Sequence, residues 1–428
     1  MDCKEAIEYI HSLERFGIMP GLERIGEICR ILGNPQEKFR CIHVAGTNGK
    51  GSTSTFCANI LRSAGLKVGL YTSPYVVDFR ERICVDGEMI EPDELALCTQ
   101  KVKTAAEENG VKLTEFEAVT AVAFVYYEMK QVDVAVLEVG LGGRFDATNI
   151  IPAPEVCVIT SISLDHTAVL GDTIEKIAFE KSGIIKPGSE VVLYPKLDKR
   201  ALAVIEEKCR ECGIRPVIPP LGSLIYCETG VESSRADYMG VKFRLNLPGE
   251  HMIYNAITAI TAANAFCRRN PPLPYLIPTD IIRKGLRMTS MPARTEILSE
   301  SPLVIIDGGH NEDCANALKK YIETELAGKR IIAVCSMMED KDCEAYVSRI
   351  APHASVFIAS QAGNPRAMKA DKLRDLAAKY CAGSVSVPEP VKACDTALSQ
   401  AGPDDTVLVC GSFYFAGDVR AHLKEALR

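Results

Sequence analysis

Residues 41–53 read CIHVAGTNGKGST, an apolar run followed at once by a turn rich in glycine and hydroxyl residues that contains one lysine. A strand that ends in such a turn and leads into a helix is the context in which backbone N–H groups and a helix N-terminus hold phosphate. The spacing departs from the common pattern G-x-x-x-x-G-K-[ST], because Val44 stands at the first glycine position and Gly51 separates Lys50 from Ser52. The stretch predicts nucleotide binding, and an ordinary glycine-rich turn is the alternative.

Short apolar runs alternate with helical patterns on both sides of this turn. In the first part of the chain the runs are nearly continuous in apolar residues, as in strands buried on both faces of a parallel sheet, and they cover 41–45, 68–71, 132–139, 156–162 and 191–194. Helical patterns such as 52–64 and 114–129 lie between them. From residue 303 a second series follows, LVIIDG, RIIAVCS, SVFIAS and TVLVCGS.

This alternation predicts an α/β protein. We expect a doubly wound phosphate-loop domain over 1–295 and a smaller, Rossmann-like α/β domain over 296–428. Within the first domain, the turn-rich stretch 219–246 predicts a small antiparallel subregion.

Composition limits the classes of function. With 49 basic and 56 acidic residues the formal net charge is −7, and no basic block appears, so we expect no nucleic-acid partner. No apolar run approaches twenty residues, which argues against a membrane span. The N-terminal stretch 1–16 carries charges throughout and predicts an amphipathic helix, not a signal peptide.

The seventeen cysteines are scattered, and most lie in apolar segments, where cysteine behaves as a small hydrophobic residue. A reducing cytoplasm is the expected location. The one C-x-x-C pair, Cys209 and Cys212, has no second pair at the spacing of a zinc site.

Polar residues follow several of the strand candidates. Glu138 lies near the end of one apolar run, where a buried carboxylate must be paired or bind a metal. Asp165 and His166 follow the run 156–162, and the carboxyl ends of parallel strands are where ligands bind. From the residues alone, Glu138 is either a Mg²⁺ ligand or a solvent-facing glutamate, and His166 either a ligand or a structural histidine.

Further polar residues lie later in the chain. Asn255 interrupts an apolar helical pattern, Arg294 lies at the expected domain junction, and Asp307 and His310 follow the strand candidate at 303. Each also fits an ordinary role, in a capped helix, at the surface or in a strand-to-helix turn. Together they form a set that a domain cleft could gather around one nucleotide.

In order along nearly the whole chain, these segments resemble the folylpolyglutamate synthase/dihydrofolate synthase family of the Mur ligase superfamily. The matching segments are HVAGTNGKGST, YTSPYVVDFRERI, FEAVTAVAF, LEVGLGGRFDATN, the DHTAVLGDT…EKSGIIKPG block, PGEHMIYNA, PARTE, DGGHN, DKD and CGSFYFAGDVR. Gly51 favours the folate branch, because the peptidoglycan ligases typically have Thr or Ser directly after the lysine.

The resemblance implies an ATP- and Mg²⁺-dependent amide ligase that adds L-glutamate to a reduced folate, to dihydropteroate or to both, through an acyl phosphate. It implies a phosphate loop made of Gly46, Thr47, Asn48, Gly49, Lys50, Gly51 and Ser52, and metal ligands Ser73, Glu138 and His166. Lys181 matches a lysine that the family often carries as a carbamate. Asn255, Arg294, Asp307 and His310 match positions that bind ATP or organise the cleft, and Lys50, Lys181, Asp307 and His310 are the expected catalytic set. Ser412 and Tyr414 resemble positions near the incoming glutamate.

Two C-terminal loops depart from the family pattern. DGGHNE replaces the common DGAHNP, and CSMMEDKD replaces a segment that usually begins with Phe-Gly, but Asp307, His310 and Asp340 stay in place.

Two other functions remain as alternatives. A Mur-type ligase acting on a cell-wall nucleotide precursor is disfavoured by Gly51 and by the loop's position only 45 residues into the sequence, which leaves no UDP-binding domain ahead of it. A phosphate-loop ATPase switch leaves Asp307 and His310 unexplained. We expect a cytoplasmic monomer with no membrane partner.

Overall fold

The structure is a computed structural model that describes residues 1–13 and 20–428. It divides into two compact units. Unit one comprises Met1–Tyr226, Ala236–Arg244 and Ile253–Thr289, and unit two comprises Cys227–Arg235, Leu245–Met252 and Ser290–Arg428. The long segment of unit two therefore begins shortly before the expected boundary at residue 296, and two short segments of this unit lie inside the expected first domain.

Unit one is built on a seven-stranded sheet in the order β4-β3-β2-β5-β1-β6-β7. Its strands are β1 Arg40–Ala45, β2 Val68–Tyr71, β3 Ile83–Val85, β4 Glu88–Met89, β5 Val134–Glu138, β6 Val156–Ile159 and β7 Glu190–Leu193. The five predicted strands are β1, β2, β5, β6 and β7, and they run parallel. The antiparallel strands β3 and β4 extend one edge and were not predicted.

The helices that precede residue 290 are α1 Cys3–Ser12, α2 Glu23–Ile31, α3 Lys50–Ser63, α4 Pro92–Asn109, α5 Glu115–Lys130, α6 Thr167–Leu170, α7 Ile174–Ser182, α8 Lys199–Glu211, α9 Glu250–Arg269 and α10 Thr279–Arg287. The helix predicted over 1–16 is present as α1, and residues 14–16 of that prediction lie outside the described part of the chain. No helix of the described residues is both long enough and apolar enough to cross a bilayer.

Helix α3, which follows the glycine-rich turn, is closely packed. A Cβ atom at Gly285 of α10 would lie 2.6 Å from the Cα atom of Ile60 in α3, so only glycine allows the two helices this approach. Phe56 and Ile60 are fully buried. The C-terminal half of α3 is thereby fixed against α10 and the unit-one core.

A separate three-stranded sheet, in the order β10-β9-β8, consists of β8 Leu224–Thr229, β9 Ser234–Tyr238 and β10 Val241–Leu245. Only two residues, 239–240, join β9 to β10, as in a tight hairpin. This sheet lies in the stretch for which a small antiparallel subregion was predicted.

Unit two contains a six-stranded sheet in the order β11-β12-β16-β13-β14-β15. Its strands are β11 Glu296–Glu300, β12 Leu303–Asp307, β13 Ile331–Cys335, β14 Val356–Ala359, β15 Ser384–Ser386 and β16 Thr406–Cys410, and its helices are α11 Glu312–Glu325, α12 Cys343–Ile350, α13 Ala370–Ala377, α14 Pro390–Gln400 and α15 Phe413–Ala426. The four predicted strands are β12, β13, β14 and β16. They run parallel, in the pairs β12–β16, β16–β13 and β13–β14. The predicted α/β class, with a phosphate-loop unit and a smaller C-terminal α/β unit, is confirmed.

All seventeen cysteines carry free thiols. Cys209 is buried in α8, and Cys212 forms the cap of that helix. Among residues 1–13 and 20–428, no group of three or more His, Cys, Asp and Glu side chains is placed to hold a metal.

Candidate active site

The glycine-rich turn lies at the carboxyl end of β1, in the middle of the unit-one sheet between β5 and β6. The segment that follows β6 holds it in place. Thr47 donates its backbone N–H to the Ser161 carbonyl at 2.7 Å, and its hydroxyl donates to the Ser163 carbonyl at 3.1 Å. The Ser161 hydroxyl in turn donates to the Asn48 carbonyl at 3.1 Å. The turn is therefore preorganised by contacts with a neighbouring strand end.

Two glycines of the turn have no room for a side chain. Gly46 has φ +150°, and a Cβ atom there would lie 1.8 Å from Thr160 Oγ1; Gly49 has φ +82°, and its Cβ would lie 2.5 Å from Asn255 Oδ1. Gly49 caps α3 without a side-chain hydrogen bond, so no side chain competes for the first N–H groups of the helix. A cradle of backbone at a helix N-terminus fits the phosphates of a nucleotide.

Two lysines flank this cradle. Lys50 Nζ donates to the Thr47 carbonyl at 3.0 Å, and Lys181 Nζ donates to the Gly46 carbonyl at 2.7 Å. Burial, and to a smaller extent the nearby charge of Lys50, lower the pKa of Lys181 to about 7, although Asp165 and Asp146 act in the opposite direction. Near neutral pH, Lys181 is thus divided between its ammonium and its free amine forms.

The predicted metal ligands lie at the same edge of the sheet. Glu138 ends β5 and is buried, and its Oε2 accepts the backbone N–H of Ser73 at 3.1 Å. His166 lies beyond β6, at the start of α6, with φ +50° and a side chain that is 42% exposed. A hydroxyl and a carboxylate suit a hard divalent cation, whereas imidazole is a less usual ligand for Mg²⁺. The donor set is compatible with such an ion.

Asn255 lies in α9 and is buried, with its amide group against Gly49. The structure thus brings this predicted residue to the phosphate turn. The reading of the sequence missed Thr160, Ser161 and Ser163, which limit and anchor the turn. Their signal is the hydroxyl-rich segment TSIS directly after an apolar run.

A further residue missed by that reading, Asp146, supports the turn that follows Glu138. Its carboxylate is buried and accepts hydrogen bonds from the backbone N–H groups of Leu141, at 2.9 Å, and Thr148, at 3.0 Å. Burial raises the pKa of Asp146, and the hydrogen bonds that it accepts oppose this shift. The buried Asp146 carboxylate therefore stabilises the turn after Glu138 through hydrogen bonds to its backbone.

The remaining predicted residues lie in unit two. Asp307 ends β12; its Oδ2 accepts from the backbone N–H and the hydroxyl of Thr295, at 3.0 and 3.1 Å, and its Oδ1 accepts from the Gly309 N–H at 2.8 Å. The carboxylate therefore orders the two strand-to-loop connections around it.

Phe413 brings Arg294 and His310 together in unit two. The Arg294 guanidinium carbon lies 4.3 Å from the centroid of the Phe413 ring, and the His310 ring centroid lies 6.1 Å from it, nearly edge-on. His251 was not predicted, but its pKa is affected by the charges of the same residues. Burial lowers the pKa of His251, the charge of Asp307 opposes this shift, and the charge of Arg294 adds to it. The PGEH segment was recognised, but its histidine was not singled out.

Ser412 and Tyr414 lie at the start of α15. Ser412 is buried and caps the helix, accepting the Tyr414 backbone N–H on Oγ at 3.1 Å. Tyr414 is partly exposed, and its hydroxyl accepts a hydrogen bond from Arg366 Nη2 at 3.0 Å. No pattern in the sequence singles out Arg366.

Two family models match the chain. The Mur ligase middle domain matches residues 44–263, and the Mur ligase glutamate ligase domain matches residues 293–413. The first contains the phosphate turn, the expected metal ligands and Asn255, and the second contains Arg294, Asp307, His310 and Ser412.

Known proteins are similar over nearly the whole length. The dihydrofolate synthase/folylpolyglutamate synthase of Bacillus subtilis is 36% identical, covering 98% of this chain and 99% of that one. The folylpolyglutamate synthase of Lacticaseibacillus casei is 35% identical and covers 99% of each chain. The structure of Mycobacterium tuberculosis folylpolyglutamate synthase complexed with ADP and AMPPCP has a TM-score of 0.89 at 27% identity, covering 99% of both chains.

Proposed function

The chain belongs to the folylpolyglutamate synthase/dihydrofolate synthase family of Mur ligases, and from that premise we propose how its residues carry out the ligation. The enzyme is an ATP-dependent ligase that adds L-glutamate to folates. In the reaction we propose, a carboxylate of the acceptor attacks the γ-phosphate of ATP, which gives an acyl phosphate and ADP. The amine of glutamate then displaces phosphate and forms the amide. The acceptor is a reduced folate, and dihydropteroate is the second acceptor to be tested.

The observation that carries this proposal is the backbone cradle at Gly46 and Gly49, with Lys50 directly after it. An anionic carboxylate must approach a polyanionic phosphate, so the site must offset negative charge on the group being transferred. The start of α3 and the Lys50 ammonium offer positive charge at one place. The cradle itself offers backbone N–H groups, so this part of phosphate binding does not depend on a particular side chain. The hydroxyl residues Thr47 and Ser52 belong to the same stretch of sequence.

We assign the binding of Mg²⁺ to Ser73, Glu138 and His166. When bound, the ion offsets charge on the phosphates. The contribution of the protein is to orient Glu138, whose carboxylate is fixed by the Ser73 backbone N–H at 3.1 Å and is kept from bulk water by burial.

We propose that Lys181 acts as a carbamate. In carbamate formation the free amine attacks CO₂, a C–N bond forms and one proton is released to solvent; the pKa of about 7 makes that amine available at neutral pH. The product replaces a buried cation by an anionic group with two oxygens, which relieves the repulsion from Lys50.

Arg294, Asp307 and His310 of unit two are proposed to contact ATP, and Asp307 and His310 to take part in catalysis. Asn255 is proposed to contact ATP at the phosphate turn of unit one. Asp307 keeps the loops around it in place through Thr295 and Gly309. Ser412 and Tyr414 are proposed to lie near glutamate. Because the Ser412 hydroxyl is engaged as a helix cap, its role is to position Tyr414.

The decisive experiment measures ADP release with ATP and Mg²⁺ in four mixtures: with or without an acceptor, and with or without L-glutamate. We expect release only when both are present, with tetrahydrofolate or dihydropteroate as the acceptor. Release that needs neither would identify an ATPase switch. Release that needs a cell-wall nucleotide precursor in place of the pterin would identify a Mur-type ligase.

We further propose a monomer that works in the cytoplasm. The seventeen free thiols support a reducing compartment. Light scattering of the purified enzyme tests the monomer, since a stable dimer would give twice the mass of one chain.

A further inference from the structure

Arg294, which we assign to ATP, lies in a turn of unit two with an unusual backbone. Both of its neighbours have positive φ angles, +54° at Ala293 and +47° at Thr295. Residues other than glycine rarely adopt this conformation, and a β-branched residue such as threonine adopts it least readily. Both neighbours are buried. The turn therefore keeps this conformation only because the groups around it hold it there.

Two carboxylates hold the turn, one at each end. Asp307 Oδ2 accepts the backbone N–H of Thr295 at 3.0 Å. Glu296 Oε2 accepts the backbone N–H of Ala293, also at 3.0 Å, and so closes a small loop around Arg294. The backbone on both sides of Arg294 is thus fixed by a hydrogen bond to a carboxylate.

Arg420 fixes the carboxylate of Glu296 in turn. Its Nε donates to Oε2 and its Nη2 donates to Oε1, both at 2.7 Å, which is the bidentate arrangement of a guanidinium and a carboxylate. The Arg420 and Glu296 side chains are only 17% and 18% exposed. Burial by itself raises the pKa of Glu296, but the hydrogen bonds from Arg420 and Ala293 outweigh it, and the pKa lies below its usual value. The carboxylate therefore stays charged at neutral pH.

One helix contacts both the side chain and the backbone of this turn. Helix α15 begins at Phe413, whose ring lies against the Arg294 guanidinium. Arg420 follows seven residues later, which is close to two turns of an α-helix, so the two side chains lie on the same face. The Phe413 ring supports the side chain of Arg294. Arg420 supports the backbone beside Arg294 through Glu296.

A guanidinium suits phosphate because it donates two parallel hydrogen bonds, but these require that its plane points at the phosphate. We propose that Glu296 and Arg420 form a positioning pair, which holds the turn so that Arg294 points at the phosphates of ATP. The alternative is an ion pair that only stabilises unit two by joining β11 to α15. The inference rests on the proposed function, because it deepens the role assigned there to Arg294.

The first test measures the affinity of the full-length enzyme for a non-hydrolysable ATP analogue by titration calorimetry. We expect Glu296→Gln and Arg420→Gln each to weaken binding about tenfold, as for the loss of a hydrogen bond to a charged group. The KM for glutamate should not change. Arg420→Lys keeps the charge but not the bidentate geometry, and it remains testable even if Arg420→Gln does not fold. We expect about threefold weaker binding in Arg420→Lys, and wild-type affinity there would overturn the inference.

Asp405→Asn is the matched control. Asp405 precedes β16, at the amino edge of the same sheet, and it also accepts a backbone N–H, from Gly402 at 2.8 Å, and a guanidinium, from Arg330 at 2.6 Å. This variant should leave nucleotide affinity unchanged. A loss as large as that in Glu296→Gln would show that any destabilised unit two binds nucleotide poorly, and it would contradict a positioning role.

A double-mutant cycle with Arg294→Ala separates positioning from mere stabilisation. If Glu296 acts through Arg294, then Glu296→Gln should weaken nucleotide binding no further in the Arg294→Ala background. Its effect on thermal unfolding should persist in that background, because the hydrogen bond to the Ala293 N–H does not need the Arg294 side chain. Additive losses of affinity in the double variant would overturn the inference.

The outcomes separate this inference from the proposed function. Wild-type nucleotide affinity in Arg294→Ala would refute the role assigned to Arg294 in ATP binding. Weaker binding in Arg294→Ala together with wild-type affinity in Glu296→Gln and Arg420→Gln would refute only the positioning pair. Thermal unfolding of each variant establishes that a loss of affinity does not come from a misfolded protein.

Discussion

The candidate site residues at the carboxyl edges of the two sheets differ in how far they are enclosed by the protein. In unit one the phosphate turn is enclosed: Gly46 and Gly49 have no room for a Cβ atom, and Lys181 is buried against the Gly46 carbonyl. In unit two the edge is open, and Arg366 and Tyr414 present exposed side chains. A rigid backbone suits the binding of phosphate, because the same group binds in every reaction cycle. Side chains on loops suit the recognition of one particular amino acid. Substitutions should therefore act by loss of the whole site in unit one and by graded loss of affinity in unit two.

The largest effect is expected at Gly46. In Gly46→Ala the new Cβ would overlap Thr160 Oγ1, so we expect no detectable ATP binding or turnover and a free energy of unfolding lower by about 1–3 kcal/mol. The matched control is Gly65→Ala, because Gly65 also has a positive φ, +91°, but no atom within 4 Å of the Cβ position. That variant should lose about 1–2 kcal/mol of stability and keep its activity. Equal activity of the two variants would contradict the enclosed turn.

Lys50→Ala should lower kcat at least about 100-fold, because it removes a positive charge that acts on the transferring phosphate, and it should leave the fold intact. Lys4→Ala, at an exposed lysine of α1, is the control and should behave as wild type. Near-normal turnover in Lys50→Ala would refute the assignment of the phosphate turn.

The pH dependence of Lys181 sharpens the contrast, because it follows from burial in unit one. Its pKa is lowered to about 7, so the amine is free above that pH and protonated below it. With ¹³C-bicarbonate we expect a carbamate signal in the NMR spectrum that grows as pH rises through about 7. In Lys50→Ala the signal should appear at higher pH, since a charge that lowers the pKa is gone. Lys181→Met is the blank, and a wild type without this signal at pH 8 would exclude the carbamate.

The smallest effect is expected from Tyr414→Phe in unit two. It keeps the ring but removes the hydroxyl, which accepts a hydrogen bond from Arg366 and which we place near glutamate. Loss of one hydrogen bond predicts a rise of about threefold to tenfold in the KM for glutamate. A collapse of kcat with an unchanged KM would show that Tyr414 acts on the reacting groups instead.

The sequence predicts those parts of the fold that are set by continuous apolar runs. The strands β1, β5 and β6 are buried along nearly their whole length, so their signal is local and strong. The edge strands β11 and β15 are only partly buried and carry no such run, so their existence depends on partners far away in sequence. The start of α3 was predicted two residues too late for a similar reason. The helix begins at Lys50, but the apolar pattern that marks it begins only at residue 52.

The site shows the same limit. Glu138 and Asp307 could be found because a carboxylate directly ends an apolar strand. The hydroxyl-rich segment TSIS marks Thr160, but neither the role of Thr160 nor that of Arg366 could be predicted. Each role depends on a residue far away in the chain, Gly46 for Thr160 and Tyr414 for Arg366.

The contact between Asn255 and Gly49 has a consequence for biosynthesis. The wall of the phosphate turn emerges from the ribosome about 200 residues after the turn itself, and Gly285, which covers α3 at Ile60, emerges later still. At about 5–20 residues per second, the nascent chain spends on the order of 10–40 s with the phosphate turn made but without this wall. During that interval the face of α3 that later packs on α10 has no partner, so the turn reaches its enclosed form only after α9 and α10 have been translated.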